Sequence, residues 1–402
     1  MSPQSTTRGE APNLGINAKL AAQQAEEAEK RDREKSSRKL KWERLAAVRK
    51  LMPKNRVSKC IWVQIKYTVE IWKSSIDKPA HFRGVMTCGQ AWVCPMCAAK
   101  ISEYDRRDLE AGIIATYMLG WHIYFLTLTL QHELDDKCAA VLCLLLEAVR
   151  GLSKGKFWKR LQAEYSIEGT VTVLEVLYNM LNGWHWHKHK MIFSRRELSD
   201  KELDELRNKI SDEYRSVAAG LGGYVHPEVG VHLRRASDVR VAEYVAKFGQ
   251  QPKEESSWGL AREMTKYTSK LSGVEKGVAM FQLLDRYKSG DDRAGELFRE
   301  FTKAVKGRAQ LTWSNGLRAK LDLPPRSRNK KIATDKEQTD FHFASLLKKA
   351  WHKIRRQRFE SLEAARDMSF DEFKGFMRQQ GVEVEDAILT LVSEWDKPKG
   401  VK

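Results

Sequence analysis

The 402-residue chain has no run of about 18 apolar residues, so it predicts no helix that spans a bilayer. Its opening residues, Met1-Ser2-Pro3-Gln4-Ser5, show no apolar signal-peptide core, which makes the cytosol the expected compartment. No Gly-x-x-x-x-Gly-Lys-(Ser/Thr) phosphate loop occurs, so a nucleotide-driven motor is not expected within the chain. Acid is in short supply: 53 Asp and Glu face 71 Lys and Arg, leaving a net charge of +18 and a pI near 9.5. Such an excess calls for a polyanionic partner, nucleic acid ahead of a membrane surface. Cysteine is sparse as well, and in a cytosolic chain the six present are metal ligands or buried thiols rather than disulfides.

What is present falls into four blocks, the first of them, 1 to 55, a disordered tail followed by a charged helix. Residues 1 to 15 are polar and carry Pro3 and Pro12, which predicts a disordered tail. From 16 to 52 the chain is rich in Ala, Glu, Lys and Arg, with Leu20, Leu40, Trp42, Leu45 and Val48 as its few apolar sites. That composition predicts a charged, largely solvated helix whose basic half, Lys30 to Lys50, could also lie along a polyanion. A cysteine module is expected over 56 to 110, a mixed α+β domain over 111 to 322, and a helical C-terminal region over 335 to 402 with a basic cluster at Lys353, Arg355, Arg356 and Arg358. The capping box from Ser199 to Glu202 opens one helix, and a second box from Ser369 to Glu372 opens another.

Cys88-Gly89-Gln90-Ala91-Trp92-Val93-Cys94-Pro95-Met96-Cys97 pairs a Cys-x-x-Cys with a third cysteine close before it. Thiolates so spaced on a tight knuckle suit tetrahedral Zn²⁺, and a closed structural site needs a fourth ligand. Cys60 is the natural one, with His81 behind it. A redox Cys-x-x-Cys is the competing chemistry. Cys138 and Cys143, in an apolar run, are expected in the core.

Asn182-Gly183-Trp184-His185-Trp186-His187-Lys188-His189-Lys190-Met191-Ile192-Phe193 sets three of the ten histidines at alternate positions. In an extended strand alternate side chains share a face, so His185, His187 and His189 would crowd one patch. A β-rich segment from Thr170 to Tyr178 precedes it across the turn-like Asn179 to Gly183, predicting a hairpin. A symmetric turn puts Glu175 across from His187. Imidazoles and a carboxylate on one sheet face make a divalent-cation ligand set with open positions, while half-exposed histidines without a ligand are the plainer alternative. Upstream, Trp121 to Leu130 alternates into a central strand with Phe125, Thr127 and Thr129 on one side. Strand, helices, hairpin, helix, strand and helix in that order predict helices packed on a largely antiparallel sheet.

The Gly-Trp-His-x-His-x-His strand behind a Glu-bearing strand resembles the metal-binding motif of the HUH endonucleases, and among them the rolling-circle replication initiators of bacterial plasmids and phages. The Phe-Leu-Thr-Leu-Thr run is similar to their first motif, and the Cys-Gly-x-x-Trp-x-Cys-Pro-x-Cys segment to the signature that precedes their catalytic domain. The resemblance covers residues 58 to 320. One departure is that Lys188, where the family has an apolar residue, separates His187 from His189. The resemblance implies an HUH palm in which His187, His189 and Glu175, with His185 as a further candidate, hold Mg²⁺ or Mn²⁺. Tyr244-x-x-Lys247 resembles the third motif, where the tyrosine attacks DNA, and Glu263 with Tyr267 resembles the Glu/Tyr pairing of another branch. The implied activity is nicking of single-stranded origin DNA through a 5′-phosphotyrosine, with duplex origin DNA, a host helicase and a polymerase as partners. A transposase or conjugative relaxase shares that chemistry, and a non-enzymatic zinc-module DNA-binding regulator is the alternative of another class.

Overall fold

The computed structural model describes residues 14–74, 80–236, 277–334 and 340–383. Tyr244, Lys247, Glu263 and Tyr267 lie outside the described residues. Among the described residues the fold is α+β with two antiparallel sheets.

The larger sheet has five strands: β3 (His122–Thr129), β4 (Ile167–Asn179), β5 (Gly183–Ser194), β6 (Val231–Arg235) and β7 (Leu311–Trp313), in the order β6-β3-β5-β4-β7. Its centre is the β4–β5 hairpin, paired from Ile167↔Ser194 to Asn179↔Gly183, so the turn is three residues rather than the expected five. Asn179 Oδ1 accepts from the Leu181 amide at 2.7 Å and closes that turn. Gly183 follows in the left-handed region at φ +78°, where a Cβ would come within 2.9 Å of the Glu133 and Leu134 carbonyl oxygens. Only glycine fits there.

Alternation then sorts β5 into two faces. Trp184, Trp186, Lys188 and Lys190 point one way, toward α3 (Cys138–Leu152), α4 (Gly155–Glu164) and α7 (Asp292–Ala304). The histidines point the other way. Trp186 is fully buried and lies 6.4 Å from Phe301 of α7. The capping box at Ser199 is formed and starts α5 (Asp200–Gly220), whose Leu206, Ile210 and Tyr214 are buried at helical spacing. Helix α2 (Pro95–Met118) packs on the Trp313 end of the histidine face, where a Cβ on Gly112 would meet the Trp313 ring at 2.5 Å. Cys138 is buried, but Cys143 is exposed, a correction to its expected core position. Five residues along a helix rotate a side chain well off the buried face.

Two further expectations are corrected. Helix α1 (Leu14–Leu51) exists, yet its C-terminal part is not solvated: Leu45, Val48 and Leu51, at i, i+3, i+6, are buried in the main core. The region from 335 to 402, expected to be helical, contains a strand, β8 (Asp340–Leu346), ahead of α10 (Lys348–Ile354), α11 (Arg358–Asp367) and α12 (Phe370–Gln379). β8 pairs with β1 (Val69–Ser74), which pairs with β2 (His81–Arg83), giving a second sheet β2-β1-β8. This sheet and α10–α12 share a separate core around Ile71, Phe343, Trp351 and Phe373. The described residues also include α6 (Met280–Lys288), α8 (Leu317–Lys320), α9 (Asn329–Thr334) and a short 3-10 turn at Arg56–Lys59.

Candidate functional site

The hairpin register places Glu175 across from His187, and β3 completes the patch by pairing Thr129↔His187 and Thr127↔His189. Each threonine hydroxyl lies 3.0 Å from the Nδ1 of its histidine. His189 Nε2 sits 2.8 Å from Oε2 of the buried Glu175. A carboxylate can only accept, so in that contact Nε2 carries the proton and, in the neutral ring, Nδ1 accepts from Thr127. A hydroxyl both donates and accepts, so the same threonine also serves the opposite tautomer, in which Nδ1–H donates to Thr127 and the Nε2 lone pair faces outward. That freedom is what a ligating imidazole needs. His189 and Glu175, with His187 beside them, are the residues of this face that could offer ligand atoms to a cation. The His187 and His189 rings lie nearly parallel with centroids 5.7 Å apart, and Phe125 stacks on His189 at 5.3 Å.

His185 reaches the same patch, its ring 4.1 Å from that of His187, but it is engaged differently. Its Nδ1 lies 2.6 Å from Nε2 of His132, whose Nδ1 in turn is 2.7 Å from the Asn182 carbonyl oxygen. Burial, with the His132 charge beside it, lowers the His185 pKa to about 4, so His185 is neutral at physiological pH. His132 was not singled out from the sequence. The signal was available: the β3–β5 register, continued past Thr129↔His187, carries the turn after Leu130 to His185. On the outer side His232 and Arg234 of β6 are exposed, and the Arg234 guanidinium lies 5.1 Å from the Phe125 ring centre. Arg234 puts a cation at the rim of the face.

Lys188 and Lys190 sit behind the histidines, on the helix-packed side. The register holds Lys188 between Leu128 and Leu174, and burial lowers its pKa to about 8. Lys190 is 2 % exposed, donates to Ser153 Oγ at 2.6 Å and lies 4.2 Å from the Trp158 ring centre. Burial, with the Lys188 charge adding to it, lowers the Lys190 pKa to about 7. An unfolded lysine titrates near 10.4, so between about pH 7 and pH 10 the unfolded chain binds the extra proton and stability rises with pH. Below about pH 7 the full penalty is present. Lys190→Met should therefore stabilise the fold at neutral pH, by about 1–4 kcal/mol as for other buried charges replaced by apolar residues, and flatten that alkaline rise. Urea melts at pH 6.5 and 9.5 check it. Equal destabilisation at both would contradict it.

The cysteines converge as the spacing predicts. Cys60, Cys88, Cys94 and Cys97 are all buried with their sulfurs within 4.8 Å of one another. Cys60–Cys97, Cys88–Cys97 and Cys94–Cys60 are each 3.6 Å apart. A tetrahedron with Zn–S bonds of about 2.3 Å has edges of about 3.8 Å. A disulfide, at about 2.05 Å, is far shorter. The four thiols form a group that could hold a zinc ion. Burial holds the Cys94 thiol above the usual thiol range, and its contact with Cys60 does the same at Cys88. Cys94 also caps α2, its Sγ accepting from the Cys97 amide at 3.5 Å. The second candidate ligand, His81, is elsewhere: on β2 it faces Asp340, Nε2 to Oδ2 3.4 Å. Trp92 of the knuckle donates to the Arg308 carbonyl at 2.9 Å and packs edge-on to Trp186, 6.3 Å between centres, which ties the thiol group to the strand that carries the histidines.

Among the described residues no helix is long and apolar enough to cross a membrane. No family model matches the chain, and no solved structure matches it. It is similar to a curated protein named "Protein rep" from Streptomyces lividans, 26% identical over 311 residues that cover 60% of this chain and 64% of the relative. The chain thus spans a little under two thirds of that relative's length.

Proposed function

We propose that the chain is a replication initiator of the rolling-circle type, an HUH nickase and strand transferase with an RRM-like palm. The observation that carries this reading is the register of β4, β5 and β3, which gathers Glu175, His187 and His189 on one sheet face with a threonine behind each imidazole. Similarity to a protein named rep agrees with it, as does a net charge of +18.

His187, His189 and Glu175 would hold the cation, Mg²⁺ or Mn²⁺, with His185 turned to His132 and acting from behind. When bound, that ion supplies charge withdrawal from the scissile phosphate. Arg234 offers a cation to the phosphates of a single strand crossing the face. Tyr244 attacks the phosphorus: the phenolic O–P bond forms as the P–O3′ bond breaks, the phenol loses its proton, and the departing 3′ oxygen takes one up. A 5′-phosphotyrosine and a primer 3′-hydroxyl result, and attack by a 3′-hydroxyl reverses the step to rejoin the displaced strand. A phenol titrates near 10, so the Lys247 ammonium, three residues on in the sequence, assists its ionisation. Glu263 and Tyr267 serve termination. A host helicase and polymerase supply strand separation and extension.

The test is cleavage of an end-labelled single-stranded origin oligonucleotide, with the covalent adduct digested and its DNA-linked peptide mapped. Tyr244→Phe should abolish the adduct, whereas Tyr267→Phe should retain it and weaken termination. Adduct on Tyr267 alone would transfer the nucleophile to the Glu263/Tyr267 pair. No adduct on any tyrosine, with binding intact, would leave a non-enzymatic DNA-binding regulator.

A further inference from the structure

The thiol knuckle has cationic neighbours that its sequence motif does not include. Trp62, just past Cys60, is flanked by three guanidiniums: Arg49 at 4.9 Å, Arg355 at 4.7 Å and Arg358 at 4.6 Å from its ring centre. Arg49 of α1 donates Nε to the Ser58 carbonyl at 3.0 Å and Nη2 to the Cys60 carbonyl. Arg358, the first residue of α11, comes from the body built on the second sheet. It is 6 % exposed, it also lies 5.1 Å from the Trp42 ring centre, and its Nε and Nη1 are buried with no hydrogen-bond partner among the described residues.

A guanidinium keeps its charge at any pH a folded protein meets, and a buried charge without a counter-charge is strongly unfavourable. The buried carboxylate of α11, Glu363, is already engaged, both its oxygens accepting from Arg38 at 2.9 and 3.0 Å. Arg49 is tied to the knuckle through the Ser58 and Cys60 carbonyls, and Arg358 lies over the Trp62 ring two residues past Cys60, so both guanidiniums are held against the segment that carries Cys60, where one counter-charge would serve both. Neutral thiols supply no such charge. Four thiolates around one Zn²⁺ leave a dianion, which two arginines balance.

We infer that Arg49 and Arg358 are the counter-cations of a zinc tetrathiolate, and that metal loading thereby fastens the β2-β1-β8 body, through Arg358, onto the knuckle. This rests on the zinc reading of the four thiols and is independent of the nickase reading. The seam is built to transmit the effect: Trp42 and Ile61 pack against both cores, and Trp351 Nε1 donates to the Trp62 carbonyl at 3.1 Å. Coupling is reciprocal, so docking strengthens metal binding as much as metal strengthens docking.

The experiment uses the full chain and two readouts: zinc affinity by competition with a chromogenic chelator, and amide exchange across α11 and β8 before and after zinc removal. Arg358→Met keeps an unbranched stem between Trp42 and Trp62 but no charge, and should weaken zinc binding by about 10- to 100-fold, the usual effect of losing a partner behind the ligands. Arg358→Lys should recover most of that loss. Zinc removal from the native chain should speed exchange in α11 and β8 while the β3–β5 amides stay protected. Should Arg358→Met fail to fold, Arg49→Met carries the same affinity prediction. Native zinc affinity in the charge-free variant, or unchanged α11 and β8 exchange on zinc removal, overturns the inference. A purified chain with no zinc at all overturns the zinc reading along with it.

Discussion

His187→Ala/His189→Ala should cut single-strand cleavage by on the order of a thousandfold, the scale lost when preorganised charge stabilisation is removed from a transition state. Both rings are only partly buried, so the core behind them survives. The cost is local: Glu175 loses the imidazole N–H it accepts at 2.8 Å, worth about 1–3 kcal/mol at a buried carboxylate. His189→Gln, which keeps an N–H near that position, separates the two effects, because it should recover stability without recovering cleavage. Duplex affinity, read by mobility shift at fixed salt, should stay within about twofold, since the variant leaves the chain's net charge of +18 in place. Undiminished cleavage by the double variant would remove the cation from this face.

That prediction concerns residues that could be read from the chain before any coordinates. A hairpin's register is local: with Asn179 paired to Gly183, every pair up to Glu175↔His187 follows by counting, and alternation assigns the face. Lys188, the departure from the family's pattern, is explained by the same alternation, since it lies on the helix side between Leu128 and Leu174 and leaves the histidine face unchanged. The cysteine knuckle was legible for the same reason, its spacing being short. The second sheet was not. β8 is seven residues long and its partner β1 lies near the other end of the chain, so nothing local distinguishes Phe341-His342-Phe343-Ala344 from a helical segment. His81 was misplaced with it, drawn as a spare thiol-site ligand when its strand turns it toward Asp340. The threonines and His132 fall between these cases. Their strand was recognised, but their role depends on which neighbour the sheet gives them.

Cys94→Ser should destabilise the chain strongly, and the choice of serine makes the cause readable. Cys94 has two roles, as a thiol in the four-sulfur group and as the residue whose Sγ caps α2 by accepting from the Cys97 amide. Serine is a better N-cap than cysteine, so the substitution preserves or improves the helix start while removing a ligand. A structural zinc site contributes about 10–16 kcal/mol of binding free energy, much of it folding free energy, and three sulfurs retain only part of it. The loss should spread beyond the knuckle. Trp92 would come away from Trp186, which lies between His185 and His187 on β5, so cleavage should fall even though no residue of the histidine face has changed. Chelation of the native chain should reproduce the same shift in tryptophan fluorescence and the same lowered melting temperature, and the variant should be insensitive to chelator. A Cys94→Ser protein that still carries one tightly held zinc and melts like the native chain would show that the knuckle stands on its apolar packing alone.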